Sequence, residues 1–367
     1  MKKILYITTI SDTINAFLVP HIKSLVEQGY KVDCAANIVE EFSEELIDIG
    51  VQIFEVPFTR NPLDINNLKA FKKLKKIQEN NNYDIVHVHT PIAGMYGRML
   101  KLKFKSLKTI YTVHGFHFYK GAPLLNWLIY YPIEKIMANF TDSMITMNSE
   151  DYERAKTFNA KEVYFLNGVG IDLKHYDYKL FDKEKERRKL NLNNDDFVIL
   201  MIAEANKNKN INQVINATEL LKRDGIEVKT LIAGDGVMLE ELRLEIKKRN
   251  LEDNVYMLGY RTDIRELISC CNIGILTSYR EGLPRNIMEL MAFGKPVIGT
   301  NVRGIRDLIK DDVNGYLVGI NDDNQTVDKI KLLYNDKALL ERMSKNAMLD
   351  SEKYSIDVIL NVLLEIY

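Results

Sequence analysis

Ser278-Tyr-Arg-Glu-Gly-Leu-Pro-Arg-Asn-Ile-Met-Glu-Leu-Met-Ala-Phe-Gly-Lys-Pro-Val-Ile-Gly-Thr300 is the stretch from which the fold of this 367-residue chain is most directly read. An apolar run, residues 273–276, precedes it and has the length of a buried strand. Gly282 permits a tight turn close to a ligand. Pro284 suits the first position of a helix. Residues 288–293 continue that helix, Gly294 is placed to end it, and Pro296-Val-Ile opens the next strand. Strand, turn, helix and strand in this order make the βαβ unit of a parallel sheet.

The same segment carries chemistry. Backbone N–H groups at the helix start, around Gly282 and Leu283, make an anion site suited to a pyrophosphate. Glu281 stands just before the helix, where a carboxylate accepts hydrogen bonds from sugar hydroxyls. Glu289 follows eight residues later, about two turns down at ~1.5 Å per residue, within reach of a ribose. One carboxylate for a sugar, one for a ribose and amides between them match a nucleotide sugar in length and polarity.

Working outward, short strand-like runs alternate with helical segments along the whole chain. Residues 3–9, 31–36, 51–56, 85–89, 109–113 and 144–147 read as strands, with helical spacing at 17–28 and 67–79. The rhythm restarts after the charged stretch 179–189, with strands at 197–203, 228–233, 255–258, 273–276 and 296–299. The expectation is an α/β fold of two Rossmann-like, doubly wound domains, 1–175 and 190–350, facing a central cleft. The apolar-faced segment within 351–367 is expected to cross back to the first domain. Ligands of such sheets bind at the carboxyl ends of the strands.

Composition narrows the class. The net charge of −1 excludes a nucleic-acid binder that works by bulk charge. Three cysteines, two of them adjacent, form neither a disulfide framework nor a zinc site and suit a reducing, cytoplasmic setting. The first apolar run stops at Asp12, too early for a signal peptide, and reads as a buried strand. No run of about 18 apolar residues predicts a membrane-spanning helix.

The Glu-x7-Glu segment, with Glu-Gly-Leu-Pro and Gly-Lys-Pro-Val-Ile, resembles the signature of the family 4 retaining glycosyltransferases. Thr112-Val-His-Gly-Phe-His-Phe-Tyr-Lys-Gly-Ala-Pro123 and residues 203–210 are similar to members that build bacterial capsule, exopolysaccharide or lipid-linked oligosaccharides. The resemblance spans essentially the whole chain. It implies the GT-B fold, a nucleotide-sugar donor, most often UDP-linked, and a glycan or lipid-linked acceptor, with no cofactor and no metal.

Further site residues follow from the same resemblance. Lys209 corresponds to the lysine that neutralises the donor diphosphate. The family's usual arginine five residues earlier is Glu204 here, so Lys207 is the candidate for the second positive charge. His114, at a strand end before Gly115, corresponds to a histidine that hydrogen-bonds the donor sugar. His87 alternates with valines and reads as structural, whereas His89 is a candidate for the acceptor side. Gly234 and Gly236 resemble the turn beside the nucleotide. Tyr260 and Arg261 stand where the family contacts the base, and Arg303, Gly304 and Asp307 near the phosphates. The first strand–helix loop, Thr9-Ile-Ser-Asp-Thr-Ile-Asn15, lacks the glycine pair frequent in relatives and is no dinucleotide fingerprint.

Charge is uneven along the chain. Residues 60–120 hold 12 Lys or Arg against 3 Asp or Glu. Two basic runs, 72–76 and 98–108, are followed by Phe116, Phe118, Tyr119, Trp127, Tyr130 and Tyr131. Basic residues near aromatics suit an anionic membrane surface at about 1 kcal/mol per basic residue. The competing reading is a solvated basic face with an ordinary buried helix. Membrane contact would place the enzyme at the inner face of the cell membrane.

The expected reaction breaks the bond between sugar C1 and the diphosphate with retention. Glu281, His114 and Lys209 position the sugar and stabilise the leaving group. Two carboxylates also serve glycoside hydrolases, but from opposite sides of one bond; hydrolysis without nucleotide would select that class. A nucleotide-sugar 2-epimerase of the same fold needs no acceptor, and a non-catalytic sugar-nucleotide sensor binds without turnover.

Overall fold

The computed structural model describes residues 1–62 and 64–367, and the chain divides into two units. Unit 1 comprises Met1–Gly170 and Ile356–Tyr367, and unit 2 comprises Ile171–Ser355.

Unit 1 holds a parallel sheet of seven strands: β1 (Lys3–Ile10), β2 (Lys31–Asn37), β3 (Ile53–Glu55), β4 (Ile85–His89), β5 (Lys108–Val113), β6 (Ser143–Thr146) and β7 (Glu162–Phe165). Their order is β3-β2-β1-β4-β5-β6-β7. The central strands β1 and β4 are almost wholly buried because both faces are covered. Alternation sorts β1 between two cores: Ile4 and Tyr6 join one cluster, Leu5 and Ile7 the other. On the Leu5 face lie the helices Asn66–Asn81, Pro91–Met99 and Leu124–Met137. On the Ile4 face, Ile359, Leu363 and Ile366 of the Ile356–Ile366 helix complete the cluster. The Tyr367 hydroxyl meets the Tyr6 hydroxyl and His87 Nδ1 there.

Unit 2 repeats the scheme with six parallel strands: β8 (Phe197–Ile202), β9 (Val228–Ala233), β10 (Val255–Gly259), β11 (Ile273–Leu276), β12 (Val297–Thr300) and β13 (Gly315–Val318). The order is β10-β9-β8-β11-β12-β13. Each sheet therefore starts in its middle and reverses direction once, between β1 and β4 in unit 1 and between β8 and β11 in unit 2.

Several boundaries differ from the sequence reading. β7 and β13 have no counterpart in it. The segment read as one helix over 17–28 begins at Ser11, passes through a π-turn at Ile14–Leu18 and ends at Glu27. Pro284 is the cap of the Arg285–Ala292 helix rather than its first residue, a one-position shift of the kind expected at helix ends.

The largest correction concerns the membrane-directed residues. Phe116 and Phe118 are 3% and 1% exposed. They stack at 4.7 Å and pack with Trp127, Tyr131 and Phe158 in the Leu5-face core. Arg98 is fully buried: its Nε donates to the Gly94 carbonyl at 2.7 Å, and its guanidinium pairs with Glu134 at 2.7 Å and sits 4.0 Å over the Tyr111 ring. The Tyr111 hydroxyl donates to the other Glu134 oxygen at 3.0 Å. These groups are internal because their charge and hydroxyl partners are internal.

The Arg98–Glu134 pair clamps the Leu124–Met137 helix to its neighbour. Arg98→Met strands a buried carboxylate and is expected to destabilise unit 1 by about 3–5 kcal/mol. Adding Glu134→Leu should recover most of that loss. Calorimetric melting of the single and double variants checks both; a double variant no more stable than Arg98→Met would show that the cost lies in lost packing.

Candidate functional site: two crevices at strand carboxyl ends

In unit 2, the crevice between β8 and β11 is formed by residues 203–210 and 277–284. Hydrogen bonds tie these loops together. The Tyr279 N–H donates to the Asn208 carbonyl at 2.8 Å, Asn208 Nδ2 to the Arg280 carbonyl at 3.1 Å, and Thr277 Oγ1 to the Asn210 carbonyl at 3.0 Å. Asn206 caps the short 3₁₀ turn Lys207–Lys209, its side chain accepting from the Lys209 N–H at 3.2 Å. Against this frame, Lys209 Nζ donates to Glu281 Oε1 at 2.6 Å. Two residues 72 positions apart, each singled out from sequence, thus form a partly buried ion pair.

The next loop supports Glu281 from below. Arg303, nearly buried, donates from Nε to the Glu281 carbonyl at 3.2 Å. Gly304 adopts φ +80°, and a Cβ there would lie 2.4 Å from the Gly282 carbonyl oxygen. Only glycine lets the two backbones lie so close. Gly304 also starts the Ile305–Leu308 helix, its N–H bound by Asp307 Oδ2 at 2.9 Å.

The Gly234-Asp-Gly236 turn has the same kind of reason. A Cβ on Gly234 would stand 1.9 Å from the Ala203 carbonyl oxygen, and one on Gly236 2.6 Å from that of Ala205. These glycines seat the β9 turn against residues 203–205 and so fix the lysine loop.

Glu289 lies on the Arg285–Ala292 helix, facing Tyr176 and Arg285. The Tyr176 hydroxyl donates to its Oε1 at 2.7 Å, and Arg285 Nε lies 3.0 Å from the same oxygen. Burial raises the Glu289 carboxyl above the usual carboxylate range, and Arg285 opposes that shift. Tyr176 was not picked out from sequence; a tyrosine 113 positions upstream gives no local signal. Ser278 also escaped notice: it is fully buried, and its hydroxyl finds no partner among the described residues.

The remaining unit 2 candidates do not converge on the pair. Lys207 and Tyr260 are exposed. Arg261 grips Asp263 with both Nε, at 2.7 Å, and its terminal nitrogen, and this pairing raises the guanidinium pKa and lowers that of the carboxyl. Gly282 and Leu283 occupy the half-buried loop before the Pro284 cap.

In unit 1, His114 follows β5 directly. Its Nε2 is 3.1 Å from His89 Nδ1, and His89 stacks on His87 at 4.3 Å between ring centres. His87 bonds Thr112 Oγ1 at 2.7 Å. Burial pulls all three below the ordinary value of 6.5, His114 to about 4 and the others well below. The row is therefore neutral at physiological pH, and His89 orients the His114 ring.

Beside the β1–β4 crevice lies a cavity of about 240 Å³, lined by Thr9, Ile10, Thr13, Arg60, Thr90, Pro91, Ile92, His117 and Tyr130. The first loop keeps its shape without glycine. Ser11 Oγ donates to the Glu40 carbonyl and accepts from the Val39 and Glu40 N–H groups, while Asn15 bridges Glu41 and Ser43.

Comparison with known proteins agrees with this layout. The family described as "Glycosyl transferases group 1" matches residues 182–350, and the one described as "Glycosyl transferase 4-like" matches 3–149. The glycosyltransferase EpsD of Bacillus subtilis (strain 168) is 34% identical over 96% of this chain and 93% of its own. The UDP-Gal:alpha-D-GlcNAc-diphosphoundecaprenol alpha-1,3-galactosyltransferase of Escherichia coli is 28% identical, covering 82% of this chain and 79% of its own. Among solved structures, Anabaena HepE in complex with UDP and glucose superposes with a TM-score of 0.83 at 19% identity, over 100% of this chain and 99% of that one. That likeness shows the fold, GT-B, and the chain itself belongs to the family 4 (group 1) glycosyltransferases.

Proposed function

We propose that this glycosyltransferase is a retaining enzyme that moves a hexose or N-acetylhexosamine from a UDP-sugar to a glycan carried on polyprenyl diphosphate, in the synthesis of a bacterial surface polysaccharide. The observation that carries the proposal is the Lys209–Glu281 pair at the β8–β11 crevice, with Glu289 eight residues farther along, on the helix that follows. One relative named for a UDP-sugar donor supports the choice of donor, and two named for diphosphoundecaprenol-linked acceptors support the choice of acceptor.

In the resting site each member of the pair holds the other. Donor binding exchanges partners: Lys209 turns to the diphosphate, and Glu281 accepts hydrogen bonds from sugar hydroxyls. Glu289, already gripped by Tyr176, takes the ribose hydroxyls. Lys207, exposed beside Lys209, supplies the second positive charge in place of the arginine replaced by Glu204.

As the bond from C1 to the leaving phosphate oxygen breaks, negative charge grows on the diphosphate. Lys209 and the amides leading into the Arg285–Ala292 helix stabilise it. The acceptor hydroxyl oxygen bonds to C1 on the same face and its proton passes to the leaving phosphate, so configuration is retained. Neutral His114 positions the donor sugar through a hydrogen bond. The cavity lined by Arg60 and His117 receives the acceptor, with Arg60 placed for its phosphate charge.

Nucleotide release from UDP-, GDP- and dTDP-sugars, with and without an undecaprenyl-diphosphate-linked sugar in detergent, tests the whole reading. UDP release that depends on acceptor is expected. Lys209→Ala should lower kcat by about 10²–10³, the loss typical of a group that stabilises transition-state charge. Glu289→Ala should act chiefly on KM for the donor. Release unaffected by Glu289→Ala would remove the ribose from that carboxylate, and product formed without acceptor would replace transfer by epimerisation.

A second prediction concerns pH. The unfolded chain binds protons on His87, His89 and His114 below 6.5, and the folded chain refuses them until well below that value. Stability is therefore undiminished by these groups above 6.5 and falls as the pH drops toward 4. Melting temperatures measured from pH 7 to 4.5 should fall across this window, and His89→Gln should flatten the slope. Transfer should show no acidic limb near 6.5 assignable to His114; such a limb, abolished by His114→Gln, would mean a charged His114.

A further inference from the structure

Glu289 is held from outside its own segment. Its carboxylate is nearly covered, with 13% of the side chain exposed. The protein supplies both neighbours of Oε1. The Tyr176 hydroxyl donates to it at 2.7 Å, and Arg285 Nε stands 3.0 Å away, one turn back on the same helix. Oε2 has no partner among the described residues. A nearly buried carboxylate oxygen is left unmatched at a cost, and a ligand hydroxyl removes that cost.

Tyr176 is itself anchored. Asp172 Oδ1 accepts from the Lys174 N–H at 3.0 Å, and the His175 and Tyr176 N–H groups donate to the Asp172 and Leu173 carbonyls, so residues 172–176 form a tight turn. The Tyr176 ring meets the Phe293 ring edge-on at 5.9 Å, and Phe181 packs on the same ring at 5.3 Å. Phe293 is buried and caps the Arg285–Ala292 helix. A phenol seated on that cap reaches a carboxylate one turn earlier. Burial, with Glu289 beside it, pushes the Tyr176 hydroxyl above its usual value, so it remains a donor. A fixed donor on Oε1 fixes the plane of the carboxylate and the direction of Oε2. A carboxylate oxygen has room for two donors. The adjacent hydroxyls of a ribose present two, and a deoxyribose presents one.

We propose that Tyr176 is a positioning residue that holds Glu289 for a pair of adjacent hydroxyls, and that the two together make the site select ribonucleoside over 2′-deoxyribonucleoside diphosphate sugars. Tyr176 acts in this way only if Glu289 receives the ribose, as proposed above. The competing role for Tyr176 is packing against Phe293 alone, and that role needs the ring but not the hydroxyl.

Titration calorimetry of the full chain with UDP and with 2′-deoxy-UDP, from acidic to neutral pH, is the test. The wild type is expected to prefer UDP by about 10–100-fold, the worth of a hydrogen bond to a charged group. Tyr176→Phe keeps the ring and removes the hydroxyl. It should weaken UDP by about tenfold and 2′-deoxy-UDP less, so that most of the preference is lost. Losing that donor also raises the Glu289 carboxyl further. As the pH is lowered, the preference should therefore fade at a higher pH in Tyr176→Phe than in the wild type. The preference is a ratio, so titration of the phosphates cancels from it. An unchanged melting temperature establishes that the variant folds. Equal weakening of both nucleotides with an unshifted pH profile would mark Tyr176 as packing alone and overturn the proposal. Glu289→Ala separates the two levels. If it erases the preference while Tyr176→Phe leaves it intact, the positioning role falls and the ribose placement stands. If the preference survives Glu289→Ala, the ribose lies elsewhere and both fall. A wild type that binds the two nucleotides equally, or binds neither, overturns the selection.

Discussion

A parallel sheet that begins in its middle must part its connections at one place, and both units are organised by that constraint. From β8 the chain winds one way to β9 and β10, and from β11 it winds the other way to β12 and β13. The loops leaving β8 and β11 therefore diverge at the carboxyl edge and leave a crevice. Diverging loops would move independently, but the hydrogen bonds among Tyr279, Asn208, Arg280, Thr277 and Asn210 sew them together. The glycines at 234 and 304 then allow flanking backbones to press against that seam. Lys209 and Glu281 meet because of this arrangement, so the chemistry of the crevice is a product of strand order before it is a product of residue type.

Much of this was legible in the sequence because the informative residues sit where pattern and chemistry coincide. Buried parallel strands such as β8 and β11 are continuous apolar runs, and the helix after β11 announces itself with Gly282, Pro284 and Gly294. Two of the four edge strands escape this reading. β7, Glu-Val-Tyr-Phe, is short and half solvated, and β13 follows a turn in which Asp312 takes a positive φ. Tyr176 was invisible because its meaning lies in a partner far along the chain.

The basic and aromatic cluster of unit 1 marks a different limit. Composition gave the residues but not the faces they occupy. Arg98 reads as surface charge until Glu134 and Tyr111 are found beside it, and Phe116 and Phe118 read as membrane anchors until their packing partners are known. Periodicity over Leu124–Met137 is nearly absent because the helix is apolar on most sides, so only tertiary packing decides which leucines remain outside.

The row of buried rings in unit 1 ends on Tyr367, whose hydroxyl closes the gap between Tyr6 and His87. Unit 1 is thus assembled from two stretches separated by the whole of unit 2. On a ribosome, the sheet of unit 1 emerges first yet lacks Ile359, Leu363, Ile366 and Tyr367, and the part of its Ile4-face cluster that these residues complete stays uncovered while unit 2 is made. Unit 2, a continuous segment, has every residue of its core available before unit 1 does. The last helix acts as a closing latch, and folding during synthesis becomes a vectorial process in which the half begun first is completed last.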